Sequence, residues 1–179
     1  TLYQDLRTVA WAAEHLEKIE DAARYRQLAQ QVRDAYNGEF FIPKLGQYAT
    51  GSQTALSMPL VFGMVEEEYI PGVLDNLIDD VRIQGNHLTG GDGGHNYLFE
   101  ALGLLNRSDV AADILIRRDY PGYGYHLEMG ATSLPERWDG AAEGSACGSQ
   151  NHFMMGGADA WFYRYLAGIK VRTDGEKVN

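Results

Sequence analysis

The sequence predicts an all-α fold of about seven helices forming part of a double-layered αα-toroid, and three observations carry that prediction. Apolar residues recur at steps of three and four through most of the chain, the spacing that lines one face of an α-helix. From the second helix on, charged helices alternate with charge-poor ones, as expected when successive helices lie outside and inside a ring. No repeat at a fixed period of roughly 30 to 50 residues is visible, which places repeat scaffolds second. Seven helices cannot close a ring of six pairs, so the ring is expected to be incomplete and the chain to be a fragment.

Leu2, Leu6, Val9, Ala10, Ala13 and Leu16 define the first helix. The second starts with Asp21 as N-cap, continues through Ala22, Tyr25, Leu28, Ala29, Val32 and Tyr36, and is expected to stop at Asn37-Gly38. Joined so tightly, the two lie antiparallel. The first helix breaks the alternation, because Asp5, Arg7, Glu14, Glu17 and Lys18 charge it as heavily as its neighbour, so this pair equally fits a solenoid hairpin. Phe40 to Ala49, with Pro43 and Gly46 among aromatics, predicts a short hairpin or extended loop. Ser52 to Phe62 carries no charge and is apolar on every face, which a helix tolerates only when buried all round; Gly63 closes it. Glu66 to Arg82 is a surface helix with Pro71 in its first turns. A charge-poor helix near Gly94 to Leu105, a charged one from Ser108 (its N-cap) to Arg118, and a last from about Asn151 to Ala167 complete the set.

Composition narrows the partners. With 25 acidic side chains against 15 Lys plus Arg, the formal charge of -10 repels phosphate backbones and anionic membranes, leaving neutral small molecules or sugars. A core of this size folds without disulfides or structural metal. Cys147 is alone, no run approaches the ~18 apolar residues that span a bilayer, and no cofactor is expected.

The chemistry falls in the connection between Arg118 and Asn151, about 32 residues with little helical periodicity. Connections this long are functional or disordered, and disordered segments lack aromatics such as Tyr120, Tyr123, Tyr125 and Trp138. Glu136, Trp138 and Asp139 set two carboxylates beside a large ring. Aromatic faces cover the C–H faces of a pyranose, while carboxylates accept hydrogen bonds from hydroxyls or move protons. Taken alone, the same residues equally fit a solvated Glu136–Arg137 pair with Trp138 in the core. His126 either lines a sugar pocket with Tyr125 or satisfies a backbone carbonyl. His87, Asp92 and His95 match no closed zinc pattern and are given turn and cap roles; no metal is expected. Trp161, Phe162 and Tyr165 have the helical spacing of a core cluster. The alternative to a sugar enzyme is a non-enzymatic helical scaffold binding a protein or glycan, whose best evidence is the charged hairpin of residues 2 to 36. Aromatics and carboxylates crowded into one connection favour the pocket.

The run from Asp119 to Gly140, then Ser149-Gln150-Asn151-His152, then Trp161 to Ile169, resembles the C-terminal half of the catalytic domain of bacterial α-L-rhamnosidases, glycoside hydrolase family 78. Gly51-Ser52-Gln53-Thr54-Ala55 and His87-Leu88-Thr89-Gly90 fit the same family, so the resemblance spans nearly the whole chain. It implies an (α/α)6 toroid, partial over residues 1–170, with 171–179 a polar tail leading to a missing C-terminal domain. It also implies inverting hydrolysis of terminal α-L-rhamnosides, with Glu136 as general base and His152 in contact with the bound rhamnose. Inversion needs an acid facing the base, the two carboxyls about 6.5–9.5 Å apart. The family's acid precedes the equivalent of Thr1, so the isolated chain is expected to be inactive. Pro135 departs from the family pattern, and its fixed φ and missing N–H are expected to affect the orientation of Glu136.

Overall fold

The computed structural model describes residues 1–140 and 148–169; Cys147 and the expected tail at 171–179 lie outside them. Among the described residues the architecture is helical, with one two-stranded hairpin. Helix α1 (Leu2–His15) turns within three residues into α2 (Ile19–Phe40), and the two pack through Ala10, Ala13, Ala22 and Ala29, small side chains that let the backbones approach. Leu2, Val9 and Leu16, expected on the packed face of the first helix, are instead exposed, as is Trp11, because the buried stripe is the alanine one. Asp21 lies inside the first turn of α2 rather than capping it, where its charge still suits the helix dipole. Helix α2 also runs past Asn37-Gly38. The Asn37 side chain donates to the Met64 carbonyl (2.8 Å) and accepts from the Tyr48 hydroxyl (2.9 Å), so tertiary bonds hold the residue in the helix.

The hairpin pairs β1 (Phe41–Ile42) with β2 (Gln47–Tyr48) around a 3-10 turn, Pro43–Leu45, that ends on Gly46 at φ +59°. A side chain on Gly46 would press on the backbone of Gly72, and Asn76 donates to the carbonyls of Leu45 and Gly46, so the hairpin is sewn to the next outer helix.

Helix α3 (Gln53–Val61) is capped by Ser52, whose hydroxyl accepts from the Ala55 N–H at 3.3 Å, and none of its residues is exposed, as its uncharged sequence requires. Helix α4 (Ile70–Ile83) buries Val73, Leu77, Ile78 and Val81 and carries Pro71 in its first turn. Helices α5 (Asp92–Leu104) and α6 (Ser108–Leu115) follow, with Ser108 the first helical residue rather than the cap. Two departures come later. The long connection contains a short helix, α7 (Tyr123–Glu128), and the last helix is cut down to α8 (Gly157–Trp161), preceded by a 3-10 turn (Phe153–Gly156) and followed by a π turn (Phe162–Leu166). The His152 N–H is spent on the Leu134 carbonyl (2.7 Å), which ties the residues before 153 to the connection instead of to a helix.

The charge alternation maps onto two layers. Charge-poor α3, α5 and α8 pack in a row, α4 lies against α3, and α6 lies against α5. The inner row is tight: a Cβ on Gly94 would overlap the Thr54 hydroxyl at the α3–α5 crossing. Of the aromatic cluster expected in the core, Trp161 is buried with Phe99, Leu98 and Leu102 and Tyr165 packs half-buried against them, whereas Phe162 is exposed. Among the described residues, no helix is long and apolar enough to cross a membrane.

Candidate active site

The N-terminal end of α5 and the long connection meet around a cavity of about 260 Å³. Glu136, Arg137, Trp138 and Asp139 line it from the connection, Gly90, Gly91 and His95 from the start of α5, with Tyr120 and Met155 beside them.

Glu136 is fixed by the backbone of Ser149. Its N–H donates to the Ser149 carbonyl (2.8 Å), and the Ser149 N–H returns a bond to Glu136 Oε2 (2.9 Å). The pairing continues from Leu134 to His152, two residues back on one side and three forward on the other, a one-residue bulge of the kind that re-aims side chains. Pro135 costs this pairing nothing, since the donors are the N–H groups of Glu136, Ser149 and His152. The Pro135 ring is buried against Gly140, where an added Cβ would come within 2.7 Å of it.

Arg137 does not serve Glu136 as a solvated pair would. Its guanidinium forks onto Asp139, Nε to Oδ1 at 2.9 Å and Nη2 to Oδ2 at 3.0 Å, and this bond holds the Asp139 carboxyl below the usual carboxylate range. Asp139 therefore stays ionised at neutral pH.

Trp138 is half-buried, so the core and pocket readings of its sequence each describe part of one ring. It packs on the core and lines the cavity, with Tyr123 at 5.4 Å edge-on, His126 stacked at 5.0 Å and His95 at 5.3 Å. His126 is 1% exposed, and its Nε2–H donates to the Trp138 carbonyl at 3.1 Å. Burial pushes its pKa down, which keeps the imidazole neutral. His95 Nε2–H donates to the Gly90 carbonyl at 2.8 Å, and His87 Nδ1–H to that of Pro121 at 2.7 Å, so both bond to backbone carbonyls.

The two upstream motifs quoted for the resemblance join here. Gln53, 2% exposed at the first turn of α3, donates from Nε2 to the His87 carbonyl (3.0 Å) and accepts at Oε1 from the Thr89 N–H (3.0 Å). One buried amide thus clamps the segment that leads into Gly90 and Gly91 on the cavity rim.

With that geometry in place, the sequence family described as the bacterial alpha-L-rhamnosidase 6 hairpin glycosidase domain matches residues 1–166. The chain belongs to that family. An alpha-L-rhamnosidase from Formosa agariphila is 37% identical over 150 residues, covering 80% of this chain and 16% of the relative. The alpha-L-rhamnosidase structure from Dictyoglumus thermophilum superposes with a TM-score of 0.82 at 36% identity, over 90% of this chain and 18% of that one. The Streptomyces avermitilis alpha-L-rhamnosidase, solved in complex with L-rhamnose, gives a TM-score of 0.80 at 28% identity, over 89% of this chain and 16% of that one. The chain therefore spans less than a fifth of the length of these relatives.

In this rhamnosidase-family domain, Glu136, Trp138 and Asp139 of the sequence-derived set line the cavity together. His126 does not line it: the ring is buried beside Trp138 and bonded to its carbonyl. Tyr125 does not line it either, standing half-buried behind Tyr120 with their rings 5.5 Å apart and nearly perpendicular. His152 is brought to the Glu136 segment through its backbone, and its ring lies against Phe153 at 6.0 Å rather than in the cavity wall. Sequence reasoning missed Tyr120 and His95 as wall residues and Gln53 as the clamp. In α7, Tyr123 turns toward the core and Tyr125 supports the tyrosine before Pro121.

Proposed function

We propose that residues 1–170 are part of the catalytic toroid of an inverting α-L-rhamnosidase that releases terminal α-L-rhamnose from glycans or glycosides, with Glu136 as general base. The observation that carries this reading is the Glu136 carboxylate in the wall of a cavity flanked by Trp138. At about 260 Å³ the cavity is smaller than the roughly 300–1,000 Å³ of drug-sized sites, a fit for one monosaccharide. Glu136 takes a proton from water as the water oxygen attacks the anomeric carbon. The bond to the glycosidic oxygen breaks, and a carboxylic acid facing Glu136 protonates that oxygen. Trp138 covers an apolar sugar face, Asp139 accepts from hydroxyls, and His152 contacts the sugar once it is bound. His126 holds Trp138, and Tyr125 backs Tyr120.

Asp139 is no candidate for the acid, because Arg137 keeps it ionised. The acid comes from outside the described residues, and the isolated chain is inactive on this reading. Exposed apolar side chains at both ends of the arc, Trp11 and Leu16 on α1 and Tyr163 and Leu166 after α8, support an incomplete ring.

The test replaces the matching segment of the Formosa agariphila relative with this chain and follows p-nitrophenyl α-L-rhamnoside. Turnover is expected from the chimaera, falling about 10²–10⁴-fold in Glu136→Gln, as for loss of a general base, with the β-anomer of rhamnose appearing first by NMR. A Glu136→Gln chimaera of full activity overturns the assignment of the base. Turnover by the isolated chain that depends on Glu136 overturns the missing acid.

A further inference from the structure

We infer that the Gly148-Ser149 step is a positioning element for Glu136, anchoring Oε2 so that Oε1 is the oxygen that takes the proton from water; this rests on the general-base reading above. Three observations combine. Ser149 engages Glu136 twice, accepting its N–H at 2.8 Å and donating its own N–H to Oε2 at 2.9 Å, so backbone and carboxylate are tied to one residue. The carboxylate lies over the face of Gly148, where a Cβ would overlap Oε2 and come within 3.1 Å of Cδ. Gly148 does not occupy the left-handed region, so its lack of a side chain answers to the carboxylate and not to a turn.

Glu136 is exposed, and an exposed glutamate ordinarily samples several rotamers. Pinning one oxygen with a backbone donor removes that freedom and sorts the two oxygens. Oε2 keeps the amide proton, and Oε1 has no bonded partner among the described residues. In the reaction the water O–H bond breaks as its proton passes to Oε1, and Oε2 holds the Ser149 N–H throughout. A misplacement of about 1 Å costs on the order of a hundredfold in rate, which is the scale on which this anchor acts.

The test has two arms. In the first, the amide resonance of Ser149 is followed by NMR on the whole chain as the carboxylates ionise. It is expected to move in the wild type and to stay fixed in Glu136→Gln. An amide that does not move, or that moves equally in Glu136→Gln, overturns the anchor and leaves the general-base reading standing.

The second arm measures kcat and KM in the chimaera. Gly148→Ala is expected to lower kcat about a hundredfold with KM within twofold and an unchanged melting temperature. Glu136→Asp draws the carboxylate back from the added methyl. In the Gly148→Ala background it should therefore cost at least fivefold less than it costs alone. Full kcat in Gly148→Ala beside an inactive Glu136→Gln overturns the positioning role while keeping the base, as does strict additivity of the two substitutions. Full activity in Glu136→Gln removes the base and this inference with it.

Discussion

Replacing Gln53 with leucine isolates the contribution of one buried amide to the cavity rim. Its two bonds, to the His87 carbonyl and from the Thr89 N–H, are both 3.0 Å long, and the side chain is 2% exposed, so water cannot replace them. Each stranded backbone group costs about 1–3 kcal/mol, giving about 2–6 kcal/mol for the pair. The leucine recovers part of that by burying apolar surface, which brings the expectation to about 2–4 kcal/mol. For a domain of this size that lowers the melting temperature by roughly 4–16 °C. Gln53→Glu sharpens the test. It keeps an acceptor for Thr89 but sets a carboxylate oxygen against the His87 carbonyl, and protonation restores a donor. Its stability should therefore rise as pH falls through the carboxylate range. Calorimetry on the two variants decides the matter: a Gln53→Leu midpoint within 1 °C of wild type, or a Gln53→Glu midpoint indifferent to pH, refutes the clamp.

Two further expectations concern packing and pH. Gly103→Ala pushes a methyl into the Tyr165 ring, whose hydroxyl is held by Glu100 at 2.9 Å, and should destabilise by about 1–3 kcal/mol, whereas Gly38→Ala, with open space around it inside α2, should stabilise by about 0.5–1 kcal/mol; urea midpoints showing the reverse order would count against both environments. Burial lowers the His126 pKa, so between the unfolded value near 6.5 and the folded one the unfolded chain binds the extra proton, and stability falls as pH drops through that window. His126→Gln should flatten this acid-side slope, and urea titrations from pH 7.5 to 5 with an unchanged slope would contradict it.

The helices were legible where their signals are local. Uncharged Ser52–Phe62 could only be interior, and Pro71 could only sit at a helix start. Much of the site was equally visible, since Glu136, Trp138 and Asp139 are neighbours in the chain and line one cavity. What escaped is long-range. Gln53 acts on residues 34 and 36 positions away, and Asn37 stays helical because Met64 and Tyr48 bind its side chain. The shortening of α8 depends on a backbone bond from His152 to Leu134, which no periodicity encodes. Six-residue α7, with Gly122 before it and Gly124 within it, is too short for a helical period to declare itself.

The greasy stripes at the two extremities of the arc also govern how the chain behaves in a tube. Natural stacked-helix proteins finish with polar-faced caps because bare ends coalesce. Trp11 and Leu16 on one molecule and Tyr163 and Leu166 on another will find each other as concentration rises. Light scattering should grow with protein concentration and fall in a Trp11→Lys/Leu166→Lys variant.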